Sequence, residues 1–147
     1  MSINFDGVDD VLINSGNLKN FVGNQITVAT WLYITTLGGF SAGQIVSTLS
    51  DGNTSIGFTV RGSTAPAARR RTLGYNITTV GPGSGFYGTS AGTLDQYERT
   101  YNFVSVSHDT TSVSNFPTIY INGSNYTVYQ FGTSGTGAIR SSNTLML

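Results

Sequence analysis

Apolar and polar positions alternate with a period of two along most of the chain, and turn-forming residues interrupt them at short intervals. That pattern predicts an all-β sandwich or barrel, because successive strand residues point to opposite faces and a half-buried sheet needs apolar side chains on one face only. In residues 102–109 (NFVSVSHD), Val104 and Val106 alternate with Ser105 and Ser107; in residues 118–123 (TIYING), Ile119 and Ile121 alternate with Thr118 and Tyr120. Both stretches predict strands with one apolar and one polar face. Residues 26–34 (ITVATWLYI) differ. Ile26, Val28, Leu32 and Ile34 fall on one side, and Ala29, Trp31 and Tyr33 on the other. A strand that is apolar or aromatic on both faces is expected to be central and covered on both sides.

Further strands are predicted over residues 11–13, 44–49, 56–61, 72–78 and 126–131, and no stretch predicts a helix. Asp6-Gly7, Asp51-Gly52 and Asn122-Gly123 supply residues tolerant of positive φ, which hairpin turns require. Residues 62–71 and 81–95 predict long loops, the second opening on Pro82-Gly83-Ser84-Gly85, and the glycine-rich residues 132–137 lead into a final strand. No boundary or internal repeat divides the sequence, so residues 1–147 are expected to form one domain.

Composition narrows the function classes. Seven Lys and Arg balance seven Asp and Glu, and 10% of residues are charged, against about 25% in ordinary globular chains. A neutral chain this poor in charge tends to associate, and it is unsuited to partners recruited by electrostatics, such as nucleic acid or an anionic membrane. No cysteine is present, which excludes disulfides and thiolate metal sites. No apolar run reaches the length of a membrane span, and no cationic, apolar leader precedes the strand that begins at Ile3. The expectation is a protein that acts where it is made or leaves the cell within a larger particle.

Four segments in order, residues 3–13 (INFDGVDDVLI), 26–34, 102–109 and 118–123, resemble the laminin-G-like branch of the concanavalin A-like lectin/glucanase superfamily. Residues 44–60 (QIVSTLSDGNTSIGFTV) are similar to that family's strand-turn-strand, with an Ile-Val pair before an Asp-Gly turn and a Gly-Phe strand. The resemblance implies a jelly-roll β-sandwich of two antiparallel sheets. Family members usually continue past the segment matched by residues 144–147 (TLML) into one more strand, which lies beside the N-terminal one. Its absence here implies a vacant sheet edge at Ile3, Asn4, Phe5 and Asp6, to be covered by a neighbouring chain or a rearranged terminus. Phe103 stands where relatives often carry Trp.

Asp6, Asp9 and Asp10 place three carboxylates within five residues and could chelate calcium, as some relatives do, or could turn the chain and bond its amides. No other cofactor is implied. Glycanases of the superfamily resemble one another in a strand bearing two Glu flanking an Asp, whereas this chain has one glutamate, Glu98, near Asp95. His108 beside Asp109 lacks an accompanying nucleophile motif. Enzymatic activity is therefore not expected. Arg69, Arg70 and Arg71 form the one charge cluster, suited to an acidic patch on a neighbouring protein or to plain solvation. Phe86, Tyr87, Tyr97 and Tyr101 surround the 81–95 segment and could stack on sugar rings or on protein.

These features favour a non-catalytic structural protein of a bacteriophage virion, a capsid decoration or cement protein or a tail accessory, acting through contacts with its own copies or a capsid protein. The alternative is a carbohydrate-binding, lectin-like module or adhesin. Fold-level resemblance alone does not separate the two.

Overall fold

In the computed structural model the described residues are 13–14, 24–39, 41–50, 53–79, 84–132 and 144–146. They form eleven strands: β1 (Ile13–Asn14), β2 (Gln25–Tyr33), β3 (Ala42–Ser50), β4 (Asn53–Arg61), β5 (Leu73–Thr78), β6 (Ser84–Gly88), β7 (Tyr101–Asp109), β8 (Thr118–Ile121), β9 (Ser124–Tyr126), β10 (Tyr129–Gln130) and β11 (Thr144–Met146). The strands make two antiparallel sheets. One has the order β1-β11-β3-β4-β5-β6-β10 and the other β2-β7-β8-β9. The protein is thus an all-β sandwich. Its helical content among the described residues is two single-turn 3₁₀ segments, Ala67–Arg69 and Thr93–Tyr97.

Alternation places the core between the sheets. Ile56, Phe58 and Val60 of β4, Leu73, Tyr75 and Ile77 of β5, and Tyr87 of β6 meet Ile26 of β2, Val104 and Val106 of β7, and Ile119 and Ile121 of β8. The two-faced pattern read in β7 and β8 is realised residue for residue: Val104, Val106, Ile119 and Ile121 are buried, while Phe103, Ser107 and Tyr120 are exposed. The turn after β8 has Asn122 at φ 51° and Gly123 at φ 81°, as its Asn-Gly sequence requires.

Three expectations are corrected. β2 buries one face only, and its Trp31 and Tyr33 are open to solvent. Residues 84–88 form a strand rather than part of a long loop, because Gly85 serves packing: it faces inward beneath the Tyr87 ring. The segment predicted as one strand over 126–131 is split, with Tyr126 in the smaller sheet and Tyr129–Gln130 in the larger. β11 lies between β1 and β3. The edge expected at Ile3, Asn4, Phe5 and Asp6 lies outside the described residues.

Candidate functional site

The outward face of the smaller sheet carries the largest concentration of exposed rings among the described residues. β2 and β7 pair antiparallel with Trp31 opposite Phe103 and Tyr33 opposite Tyr101. In such a pair, directly opposed side chains on one face touch. The Trp31 and Phe103 ring centroids are 5.4 Å apart, and those of Tyr33 and Tyr101 are 4.9 Å apart. Tyr120 of β8 joins the same face opposite Ser105. Trp31 is 67% exposed and Tyr101 73%, and Tyr33, Phe103 and Tyr120 also present large apolar area.

Toward the other end of the same face the pairs turn polar. Thr27 and Ser107 share a hydrogen bond of 3.0 Å between their hydroxyls, and Gln25 Nε2 donates to Asp109 Oδ2 at 3.1 Å. Thr111 N–H also donates to Asp109 Oδ1. Hydrogen bonding by the Thr111 hydroxyl, then by the Thr111 N–H and the Gln25 amide, holds the Asp109 carboxyl below its ordinary pKa. A shallow depression at this end is lined by Gln25, Thr27, Ser107, Asp109, Asn115 and Phe116. The face is therefore half aromatic and half hydroxyl and amide, with one carboxylate at its margin.

The aromatics grouped in the sequence around residues 81–95 are dispersed by the fold. Tyr101 is on the aromatic face. Tyr87 is 1% exposed and sits in the core. Tyr97 hydrogen-bonds through its hydroxyl to Tyr126, and partial burial with that bond pushes its pKa up to about 12. Phe86 lies on the outward face of the larger sheet, against Phe131 at 5.5 Å.

The arginine run likewise does not act as a unit. Arg71 pairs with Asp95 at 2.9 Å, Arg70 Nε donates to the Ala65 carbonyl at 2.8 Å, and Arg69 Nη2 donates to the Phe131 carbonyl at 2.9 Å. Consecutive residues separate here because the 3₁₀ turn ends at Arg69 and Arg71 adopts φ 55°.

Each described acid is committed to structure: Asp95 to Arg71, Asp109 as above, and Glu98 to the Leu37 N–H. His108, adjacent to Asp109 in sequence, points the opposite way and is buried with Tyr75 and Tyr87, whose ring centroids lie 5.6 and 5.4 Å from its own. Its Nε2–H donates to the Asn115 carbonyl at 3.0 Å. Among the described residues no group of three His, Asp or Glu side chains could hold a metal, and no helix is long and apolar enough to cross a membrane. Asp6, Asp9 and Asp10 lie outside the described residues.

The residues that build the aromatic face, Trp31, Tyr33, Phe103 and Tyr120, were not among the candidates read from sequence. For Trp31 and Tyr33 the signal is present in the alternation of residues 26–34. That alternation does not separate burial from exposure, because an aromatic stripe has the same period whether it meets core or solvent. No protein-family model matches the chain, and no curated protein is significantly similar to it.

Proposed function

We propose that this chain is a non-catalytic attachment subunit of a bacteriophage virion, a capsid decoration or cement protein or a tail accessory, that works through protein–protein contacts on the outward face of the smaller sheet. A laminin-G-like jelly roll is the finer form we propose for the sandwich. The observation that carries the reading is the exposed set Trp31, Tyr33, Tyr101, Phe103 and Tyr120. Taking roughly 200 Å² for each aromatic side chain, the exposed ring surface is on the order of 500 Å². That is at the upper end of the largest patches found on monomers, about 300–600 Å². With the flanking Thr27, Ala29, Ser105 and Asn125, the face approaches the roughly 800 Å² per partner of a standard interface. The paired residues described on this face include no Lys or Arg, and with the scarcity of charge in the chain that favours a flat, weakly charged protein surface as occupant. The committed acids support a binding role rather than catalysis.

The test is co-sedimentation with particles from the native source. The wild-type protein is expected to travel with particles and to raise their resistance to heat, and the double variant Trp31→Ala/Tyr101→Ala to remain folded but sediment alone. Particles equally stable with and without the protein would overturn the proposal.

A second reading, a lectin-like module for neutral glycans, is favoured by the polar half of the same face. Rings beside the Thr27 and Ser107 hydroxyls offer stacking and hydrogen bonding together. Glycan-array binding that is lost in Trp31→Ala, without particle association, would select it.

A further inference from the structure

The opposite side of the sandwich holds a second arrangement, independent of the aromatic face. On the outward surface of the larger sheet, Thr59 of β4, Gly74 of β5 and Gly88 of β6 lie in register across three strands. Two of these three positions lack a Cβ, which leaves a trough, and the rings of Phe86 and Phe131 fill it. A Cβ on Gly74 would stand 3.4 Å from Phe86 Cε2, and one on Gly88 would stand 3.1 Å from Phe131 Cε2.

Two guanidinium groups lie over these rings. Arg61 Cζ is 4.8 Å from the Phe86 centroid and Arg69 Cζ is 4.6 Å from it, with Arg69 also 5.2 Å from Phe131. Ring faces offset part of the cost of gathering cations. They do not cancel the repulsion between two of them. Neither arginine has a carboxylate partner among the described residues, whose ion pair is Arg71 with Asp95. Arg61 Nε is buried and has no acceptor among the described residues, and neither does Thr59 Oγ1, two residues earlier on the same face. Burial and the Arg69 charge both act against the charged form of Arg61. A guanidinium does not deprotonate in proteins, so an anion is the available relief.

We infer that Arg61 and Arg69, held on the Phe86 ring, form a binding site for an oxyanion, a carboxylate or phosphoryl group received by the planar N–H forks. Guanidinium groups fit such anions in bidentate fashion, and ring stacking fixes their planes in advance. Arg69 is further anchored by the Phe131 carbonyl, whereas Arg61 Nε has no such anchor among the described residues. The chemistry is shared by two sources, an acidic side chain of a neighbouring protein and free inorganic phosphate.

NMR of the arginine Nε–Hε groups at constant ionic strength tests the site. The probes are inorganic phosphate, a hexaglutamate peptide and sodium chloride. The Arg61 and Arg69 signals are expected to shift saturably with phosphate or the peptide and not with chloride, while Arg71, engaged by Asp95, stays in place. Saturation by the peptide at lower concentration than by phosphate identifies protein carboxylates as the ligand; saturation by phosphate alone identifies the free anion. Arg61→Gln abolishes the saturable response, and should that variant fail to fold, Arg69→Gln serves in its place. Shifts that follow ionic strength alone, or that appear equally on Arg71, would overturn the site.

Discussion

Gly85 offers the sharpest test of how the core is built. It lies on the inward face of β6, and Tyr87, two residues further along the same face, folds its ring back over it. A Cβ at position 85 would meet Tyr87 Cε2 at 2.4 Å, and Cζ and the hydroxyl oxygen at 3.0 Å each. Carbon atoms reach their optimal separation at about 3.5–4.0 Å, so the ring would have to retreat by about 1 Å. It has nowhere cheap to go. Tyr87 is 1% exposed, with Tyr75 stacked at 6.4 Å and with His108 and Phe116 edge-on at 5.4 and 5.9 Å. Overpacking of this kind costs about 1–3 kcal/mol. Alanine gives back about 0.4–1 kcal/mol by restricting the unfolded chain. Gly85→Ala is therefore expected to destabilise by about 1–2 kcal/mol, a fall in Tm of roughly 3–6 °C for a chain of this size. Urea unfolding followed by circular dichroism measures it. A second arm isolates the cause: in a Tyr87→Leu background the ring is gone, and Gly85→Ala should become neutral or stabilising. A Gly85→Ala protein as stable as wild type, or one that loses as much without the ring as with it, would refute the reasoning.

Other substitutions probe separate features. His108 is the single histidine; burial lowers its pKa, and its Nδ1 is enclosed with no acceptor among the described residues, so folding favours the neutral ring. The unfolded state then binds the extra proton, so this contribution to stability is complete above the ordinary His pKa of about 6.5 and is lost as pH falls from there through the lower folded value. Urea midpoints between pH 7 and 5 should decline in wild type and stay flatter in His108→Gln; equal slopes would exclude His108 as the source. Asn122 adopts φ 51°, accepts from Phe103 N–H at 2.8 Å and donates to Asn102 Oδ1 at 2.9 Å. Asn122→Ala loses both bonds and strains the backbone, about 2–3 kcal/mol, whereas Asn122→Gly loses the bonds alone, about 1–2 kcal/mol; the reverse order by thermal melting would show that backbone conformation does not matter there. Arg71→Gly removes an exposed ion pair worth less than about 1 kcal/mol and relieves a positive φ, so its Tm in high salt should equal or exceed that of wild type.

The sandwich was legible because β4, β5, β7 and β8 obey the period of two with little interference. Val104, Val106, Ile119 and Ile121 go inward because burying them is the dominant favourable term and nothing else competes. β6 was hidden by its own solution to packing: Gly85 and Gly88 look like a loop, yet each makes room for a ring. β2 was legible as a strand but not in its environment, since Trp31 and Tyr33 carry the same pattern whether they meet another layer or solvent. The arginine run misled for the opposite reason. Adjacency in sequence says nothing about direction where a 3₁₀ turn ends, and the partner that matters for Arg69 is Arg61, eight positions earlier and brought near by the shared Phe86 ring.

The two surfaces differ in kind, and the difference bears on how an attachment protein would use them. The aromatic face offers area and little charge, so it contributes affinity through water exclusion and tolerates small shifts in the partner's position. The paired guanidinium groups offer little area but a fixed direction, and charged contacts of that sort set orientation and partner choice more than affinity. They sit on opposite sides of a sandwich whose sheets are separated by roughly 10 Å before side chains are added, too far apart to serve one flat neighbour. On the proposed reading the two sites therefore engage different neighbours. A chain that links two neighbours, weakly at each contact and many times over a repeated surface, resists disassembly through multivalency rather than through any single tight interface.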